Sequence, residues 1–445
     1  MPSERQKKIP RTALAIFIGI VVAGASFSAW ADTKAAPRIA AAFAFTKVVD
    51  TNTKVPGGAG AYFSLNYTDS PAVSGGNVVF DTGDEVVWTA TTSGGNLKRM
   101  ITPNTLIPFG GGAKFQQVYG DYVSITGNTV VVLGDSCGGC SHGVGIYTRS
   151  VSGGPITRLV DTSEFIPGST TQKYDVFPID FHANGNNVVF QNTQQIFSVP
   201  LGGGKAVAVA GTQDGGFSPP APYCCIFAQP TLSDPSSEVL LLGGNGFGTS
   251  QIQAVNRSGA PLSFRVIADA SMHPPHTPSA YRFNNFNFGT PVIDRTFDHR
   301  YYVFRGLGTA PSSPNITGIY SRGSTGLHSL VDTNTPVPGG TGTFAPYDCC
   351  GRAGFEVMGA GNSVVVFRGI DAAQKAGLYA VSAGGGPITK IIAQGDPLNG
   401  FTVEPNPGLP IVMRRDGFDG TTLGFQVTYA GFRGRGIYTT QVVLP

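Results

Sequence analysis

The chain has 445 residues, of which 41% are hydrophobic and 13% are charged. The formal charge of +3 comes from the N-terminus: residues 1–31 contain four of the 30 basic residues and one of the 27 acidic ones, which leaves 26 of each in the remainder. A neutral chain lacks the basic surface that nucleic-acid binding requires, so that class of function is excluded. The 62 glycines and 32 prolines disfavour helices and predict short strands joined by turns.

Residues 1–31 have the pattern of a secretory signal peptide. Four basic side chains precede an apolar run from Thr12 to Phe27, and Ala29-Trp30-Ala31 fits the small-x-small cleavage rule. No second apolar run is long enough to cross a membrane, so no membrane span is predicted in the mature chain. We therefore expect a secreted or periplasmic monomer, in which residues 32–44 form a mobile lead-in to a single domain over residues 45–445.

Seven similar sequence units follow, at a spacing of roughly 50 to 63 residues. Each unit contains a dense apolar run, and these runs start near Val78, Val130, Val188, Val239, Tyr301, Val364 and Leu423. A four-stranded sheet buries both faces only by packing against other sheets, so the repeat predicts an all-β fold, a seven-bladed β-propeller of four-stranded blades. An extra strand near residues 45–49 precedes the first unit and the last unit lacks its fourth strand. We expect this N-terminal strand to close the ring.

One motif recurs where the fourth strand of a unit ends. Val48 to Phe63 and Leu330 to Phe344 share Val-Asp-Thr-Asn-Thr, Val-Pro-Gly-Gly and a final Phe, and weaker copies lie between them. An Asp side chain at this position can accept a hydrogen bond from the backbone amide two residues on. We therefore interpret the aspartates as turn-forming residues rather than catalytic acids. They are Asp50, Asp161 and Asp332.

The motif resembles that of secreted bacterial tandem-repeat proteins with the pattern Asp-Thr-x-Thr-Pro-x-Pro-Gly-Gly-x-Gly-x-Phe. The similarity extends over all the units and is strongest at the two copies described above. It implies an exported, β-propeller-like protein and supplies no catalytic residues.

The six cysteines fall in loops that should share one face of the propeller, the face where connecting loops are longest and where function is expected. They are Cys137, Cys140, Cys224, Cys225, Cys349 and Cys350. In an exported protein, disulfides are the default state of such residues. We favour local bridges between neighbouring cysteines, with pairing between loops as the alternative and a zinc site that includes His142 as a weaker one.

Arginine and aromatic side chains on the same face are candidate ligand-binding residues. Arg305, Arg368 and Arg433 each follow a Phe and precede a Gly, and they predict an arginine ring that binds carboxylate or sulfate groups, with a structural role as the alternative. Aromatic side chains could be platforms for sugar rings. The candidate platforms are Tyr223, Tyr281, Phe283, Phe286 and Tyr347.

Two functions fit these patterns. The first is an exported propeller that binds a glycan or another surface component through its loop-rich face. The alternative is a polysaccharide-degrading enzyme, most plausibly a lyase, in which an Arg neutralises a uronate carboxylate while a His or Tyr transfers a proton. The candidate catalytic residues are His273, His276, Tyr281 and Arg282. No nucleotide-binding, metal-binding or hydrolase motif occurs, so no cofactor and no metal is predicted.

Overall fold

In the computed structural model, each repeat unit folds into an antiparallel four-stranded sheet, and seven such sheets form a β-propeller. The predicted fold class is confirmed. The structure describes residues 43–66, 70–108, 110–136, 144–175, 181–192, 195–211, 225–232, 238–244, 250–256, 264–286, 292–293, 301–346, 354–406 and 410–444. The predicted signal peptide and most of the lead-in lie outside these residues. Within them, no helix has the length and hydrophobicity of a membrane span.

The strands of each blade follow one another from the axis outward. The first strands are β2 (Ala72–Ser74), β6 (Gln117–Thr126), β10 (Phe181–Asn184), β14 (Cys225–Leu232), β18 with β19 (Arg282–Asn285, Val292–Ile293), β23 (Phe355–Gly361) and β29 (Ile411–Val412). The second strands are β3 (Asn77–Thr82), β7 (Thr129–Asp135), β11 (Asn187–Asn192), β15 (Glu238–Gly244), β20 (Tyr302–Thr309), β24 (Val364–Ile370) and β30 (Thr422–Thr428).

The outer half of each blade is equally regular. The third strands are β4 (Val86–Thr91), β8 (Gly145–Ser150), β12 (Gln195–Pro200), β16 (Ser250–Asn256), β21 (Ile316–Gly323), β25 (Ala376–Ser382) and β31 (Arg435–Gln441). The fourth strands are β5 (Lys98–Ile101), β9 (Thr157–Asp161), β13 (Val207–Gly211), β17 (Phe264–Ala268), β22 (Gly326–Asp332), β26 (Thr389–Ala393) and β1 (Phe45–Asp50). A short hairpin, β27 (Pro397–Leu398) with β28 (Phe401–Thr402), and two 3₁₀ turns, Arg415–Gly417 and Ala430–Phe432, complete the described elements.

The N-terminal strand closes the ring as predicted. Strand β1 pairs antiparallel with β31, so that Phe45 lies opposite Thr440 and Asp50 lies opposite Gly436. Val49 of β1 is fully buried and packs in the same core cluster as Ile437 of β31. Blade seven is therefore built from both ends of the domain, which removes two open sheet edges.

The small-apolar-aromatic signature of the third strand has a packing explanation. In blade two, a Cβ added to Gly145 would lie 2.9 Å from the hydroxyl oxygen of Tyr147, so glycine leaves room for the ring two residues on. The ring of Tyr147 then packs edge to face against Phe115, with the centroids 4.9 Å apart. Burial raises the pKa of the Tyr147 hydroxyl, so it stays neutral at physiological pH. The aromatic signature serves the core between blades.

The two ends of the ring carry different connections. Gly145, which begins β8, lies opposite Asp161, which ends β9, so the second-to-third and fourth-to-first connections share one side. We call this side the loop-rich face, as expected from the sequence. The opposite side, which carries the tight first-to-second and third-to-fourth turns, is the turn face.

Candidate functional site

The repeated motif forms a rigid turn on the loop-rich face. In the loop that enters blade one, Oδ1 of Asp50 accepts hydrogen bonds from the amide of Asn52 at 3.1 Å and from the hydroxyl of Thr53 at 2.7 Å. Asp332 accepts the matching bond from the amide of Asn334 at 2.8 Å. These bonds confirm the structural interpretation of the motif aspartates.

Hydrogen bonds and an aromatic side chain complete the same frame. The amide of Val55 donates to Ala61 at 2.8 Å, and the amide of Phe63 donates to Thr53 at 3.1 Å. The Phe63 ring then packs edge to face against Trp88 of the blade that the loop enters, at 5.0 Å. The final aromatic residue of the motif is therefore an anchor that fixes the loop to its blade.

A further copy of the motif loop enters blade five and was not recognised in the sequence. The side chain of Asp269 accepts from the amide of Ser271 at 2.9 Å, and the amide of Phe283 donates to Met272 at 3.1 Å. Phe283 packs against Tyr320 in the edge-to-face geometry of the other anchors. The copy lacks the threonines and the Gly-Gly pair. The signal that could have revealed it is the Asp of a fourth strand followed by an aromatic residue about 14 positions on.

Each motif loop carries two side chains at fixed positions, one just after the turn and one just before the anchor, and both are exposed in the loops that enter blades one, two and three. Where both are bridged, they lie directly opposite each other in a short β-bridge, which places their side chains side by side. We call them rim pairs. The bridged rim pairs are Lys54 with Tyr62, Leu106 with Lys114, Phe165 with Lys173, and Pro336 with Thr343. His273 with Arg282 is the rim pair of blade five by its position in the loop.

The apolar members of the rim pairs are unusually accessible. Tyr62 is 55% exposed, Leu106 is 59% exposed and Phe165 is 50% exposed. In blade three, Nζ of Lys173 lies 5.4 Å from the centroid of the Phe165 ring, within cation–π range. These residues were not predicted from the sequence, because the site was expected in the longer, cysteine-containing loops.

Blade seven presents an aromatic ring and a cation on the loop-rich face by a different loop. Phe432 is 57% exposed and precedes the exposed Arg433. The backbone of Phe432 has a φ of 55°, a left-handed conformation that a bulky residue rarely adopts. Its amide donates to Oε2 of Glu404 at 3.1 Å. Burial acts to raise the pKa of Glu404, but backbone amides, including that of Phe432, outweigh it and lower the pKa.

Hydrogen bonds to backbone carbonyls hold most of the candidate catalytic side chains. The hydroxyl of Tyr281 donates to the carbonyl of Pro314 at 2.9 Å, and the Tyr281 side chain is buried. Nη1 of Arg282 donates to two carbonyls of its own loop at 2.7 Å, and Nε2 of His273 lies 2.8 Å from the carbonyl of Pro278. His276 is exposed at a positive φ of 62°. Local hydrogen bonds thus occupy three of the four side chains.

The predicted arginine ring is wrong in its geometry. Arg305 and Arg368 are equivalent, but they are only 4% and 5% exposed, and Nη1 of Arg305 donates to the carbonyl of Phe355 in the next blade at 2.5 Å. In blade seven the equivalent position belongs to Gln426 and not to Arg433. Gln426 pairs with the same position of its third strand, β31, as Arg305 and Arg368 do with theirs. Burial favours the structural alternative for Arg305 and Arg368.

Three of the proposed aromatic platforms are also buried. Phe283 and Phe286 are each 1% exposed and pack in a core cluster of blade five, and Tyr281 is 6% exposed, so none of the three rings can stack on a ligand. The other two platforms, Tyr223 and Tyr347, lie outside the described residues. The same is true of Cys137, Cys140, Cys224, Cys349 and Cys350, and of the side chain of Cys225. The disulfides stay a prediction.

The axis of the ring contains a segment of blade seven. Instead of a tight turn, the chain between β29 and β30 runs inward over residues 413–420, which we call the central plug. Nη1 of Arg414 donates to the carbonyl of Val123 in blade two at 2.7 Å. Nη2 of Arg415 donates to the carbonyl of Phe181 in blade three at 2.8 Å, and its Nη1 lies 3.2 Å from the carbonyl of Pro230 in blade four. A segment of blade seven reaches these strands only by crossing the axis.

A buried acid–imidazole pair holds the central plug in place. Oδ1 of Asp416 lies 3.1 Å from Nε2 of His182, and Oδ2 accepts a hydrogen bond from the hydroxyl of Ser124. The amide of Leu232 donates to Nδ1 of His182 at 2.9 Å, which assigns the proton of the imidazole to Nε2. Ser124 contacts the acid and not the imidazole, so the arrangement differs from that of a nucleophilic triad.

A polar cleft with a volume of about 350 Å³ lies on the turn face between blades one and two. Amide and hydroxyl side chains line it together with the amine of Lys98. Among the described residues, no three His, Cys, Asp or Glu side chains are grouped in a way that could hold a metal ion.

The chain is similar to several solved structures at low sequence identity. No family model matches the sequence, and no curated protein matches it. One of the similar structures is a putative TolB from Agrobacterium tumefaciens, with 12% identity and a TM-score of 0.34 over 84% of this chain and 90% of that one. Another is the Pan2 WD40 domain of Neurospora crassa, with 12% identity and a TM-score of 0.39 over 90% of this chain and 96% of that one. A prolyl endopeptidase is similar at 11% identity and a TM-score of 0.45 over 86% of this chain, which spans about half the length of that peptidase.

Proposed function

We propose that the protein is an exported binding protein whose loop-rich face recognises a glycan. The observation that carries this proposal is the repetition of the rim pairs, which place an exposed apolar side chain beside a hydrogen-bond donor on the same frame in successive blades. An exposed aromatic ring can stack on the apolar face of a sugar, while a neighbouring amine donates to its oxygens. Export is inferred from the sequence pattern of residues 1–31 alone.

Rigidity supports a binding role for these loops. Hydrogen bonds within each motif loop and an aromatic anchor fix the rim pair before any ligand arrives, so little conformational entropy is lost on binding. The alternative, a polysaccharide lyase, gains no support from the described residues. Its candidate proton-transfer residues, His273 and Tyr281, are hydrogen-bonded to the carbonyls of Pro278 and Pro314.

A carbohydrate microarray probed with the mature chain, residues 32–445, tests this function. We expect binding to at least one class of glycan, and a loss of about tenfold or more in the variant Tyr62→Ala/Phe165→Ala, which corresponds to about 1.4 kcal/mol. The matched control is Val207→Ala/Val443→Ala, which removes two exposed valines outside the rim pairs and should bind normally. Binding to no glycan, or an equal loss in both variants, would contradict the proposal.

A further inference from the structure

Five loops on the loop-rich face each present one cation. Four of these cations belong to rim pairs, in blades one, two, three and five, and the fifth belongs to the Phe432 loop of blade seven. They are Lys54, Lys114, Lys173, Arg282 and Arg433. The cation occupies the first position of the rim pair in blade one and the second position in blades two, three and five. The loops thus preserve a cation beside a ring or aliphatic side chain, although the position of the cation changes.

These five cations differ from the basic residues of the neighbouring fourth strands. Nζ of Lys47 lies 2.9 Å from Asp50, and Nη1 of Arg158 lies 2.7 Å from Asp161, so these two motif aspartates already have their counter-charges. No carboxylate of the described residues lies within ion-pair distance of any of the five cations on the rim. The loop-rich face therefore presents positive charge that is available to a ligand, in a mature chain with no net charge.

We propose that the ligand is a linear acidic polysaccharide, whose carboxylate or sulfate groups bind the five cations of the rim; this inference rests on the glycan-binding function proposed above. An acidic sugar has an apolar ring face and an anionic group on one residue. A rim pair such as Phe165 with Lys173 has the complementary combination, with ring and amine 5.4 Å apart. The exposed and conformationally constrained Phe432 repeats it next to Arg433.

A polymer fits this arrangement better than a membrane does. The exposed apolar side chains Tyr62, Leu106 and Phe165 belong to separate loops of separate blades, each beside its own cation, whereas insertion into a bilayer requires a contiguous apolar patch. A repeating acidic chain can occupy several such sites at once. Individually weak sites then act together, because each later contact forms within the same complex.

Binding to two matched pairs of polymers tests the inference. Biolayer interferometry compares polygalacturonate with its carboxyl-reduced form, and dextran sulfate with dextran. At 50 mM NaCl we expect a charged polymer to bind about tenfold or more tightly than its neutral match. At 500 mM NaCl most of this preference should disappear, because exposed charges are screened over less than about 8 Å. The carboxylate and sulfate pairs distinguish the two anionic groups.

A double variant locates the charge. Lys114→Ala/Lys173→Ala should weaken binding of the charged polymer about three- to tenfold, as expected for the loss of two exposed ion pairs. The control Lys98→Ala/Lys205→Ala removes the same charge from the turn face and should weaken binding by less than about twofold. If either rim substitution unfolds early in a thermal melt, Lys114→Gln/Lys173→Gln replaces the pair, since glutamine keeps most of the apolar stem.

Several outcomes would overturn the inference. Equal binding of charged and neutral polymers would do so, and would leave the glycan-binding function standing. An equal loss in the Lys98/Lys205 control would place binding in the turn-face cleft or in net charge. Binding to phosphatidylglycerol vesicles but to neither charged polymer would identify a membrane surface instead. Binding to no polymer and to no arrayed glycan would refute both proposals.

Discussion

The motif loops and the central plug are both irregular segments of the propeller, but different kinds of contact hold them in place. The bonds that fix the loop entering blade one join Asp50 to residues two and three positions away. The bonds that fix the central plug join Arg414 to Ser70 and Arg415 to Thr231. These partners are 344 and 184 positions away in the sequence. A loop with local bonds can repeat in every blade and can vary its exposed side chains without disturbing the ring. Within the part of the chain that the structure describes, the plug occurs once, and the inner strands of several blades depend on it.

This difference separates the residues that are available to a ligand from the residues whose substitution would destabilise the fold. At the level of the plug, the axis is filled by buried groups such as Asp416 and His182, which have no access to a ligand. The rim pairs contribute almost nothing to the core but are anchored to it by residues such as Phe63 and Phe283. We therefore expect substitutions along the axis and at the closure to affect stability, and substitutions of rim pairs to affect binding.

The largest effect should come from opening the ring. Deletion of residues 32–50 removes β1, including Val48 and Val49, which are 6% and 0% exposed. Burial of two valines alone stabilises the fold by about 3–6 kcal/mol, and the deletion also exposes the edge of β31. Thermal unfolding monitored by circular dichroism should show a sharply lower midpoint. The control deletion of residues 32–42 leaves β1 intact and should unfold as residues 32–445 do; equal midpoints for the two deletions would exclude closure by β1.

The next effect should come from the central plug. The substitution His182→Ala leaves the buried carboxylate of Asp416 without its imidazole, and breaking a buried pair of this kind costs about 3–5 kcal/mol. Urea unfolding at pH 7 measures the change. Asp419→Ala is the control within the same segment, because Asp419 bonds only to Thr421 and Thr422 nearby and should cost about 1 kcal/mol. A loss for His182→Ala no greater than for Asp419→Ala would mean that the plug does not hold the ring.

The sequence could predict the features that depend on neighbouring residues. The dense run at Val364, the Gly-Ile-Tyr of β8 and the Asp-Thr-x-Thr turn are each specified within a few positions, so strands, blades and turns were predicted correctly. The same holds for ring closure, because an orphan strand at one end and a missing strand at the other are visible without coordinates.

Features that depend on pairing between distant residues were not accessible. Phe432-Arg433-Gly434 has the same local sequence as Phe304-Arg305-Gly306, yet the first lies in a loop and the second in β20. Only the register of β30 against β31 shows that Gln426 is the equivalent of Arg305. The plug was missed for the same reason: nothing in Arg-Arg-Asp indicates partners in blades two, three and four. The rim pairs were missed because their exposure follows from a bridge inside each loop.

The smallest stability effect should come from a single motif turn. Asp50→Ala removes the acceptor for the amide of Asn52 and the hydroxyl of Thr53. Hydrogen bonding to a charged group contributes about 1.5–3 kcal/mol to the free energy of unfolding, and we expect a loss in this range. Burial acts to raise the pKa of Asp50, but the bonds from Thr53, Lys47 and Asn52 outweigh it and hold the pKa below its ordinary value of 3.8. The ionised carboxylate therefore stabilises the fold fully above about pH 4, and this stabilisation is lost as the pH falls through the lower, folded-state pKa.

Urea unfolding of the unsubstituted chain and of Asp50→Ala at pH 7, 5, 4 and 3 measures this effect. The difference in their free energies of unfolding should be constant down to about pH 4 and should narrow below it. Because the turn is local, binding at the other rim pairs should change little; a difference that grows as the pH falls would show that the Asp50 carboxylate does not support the turn.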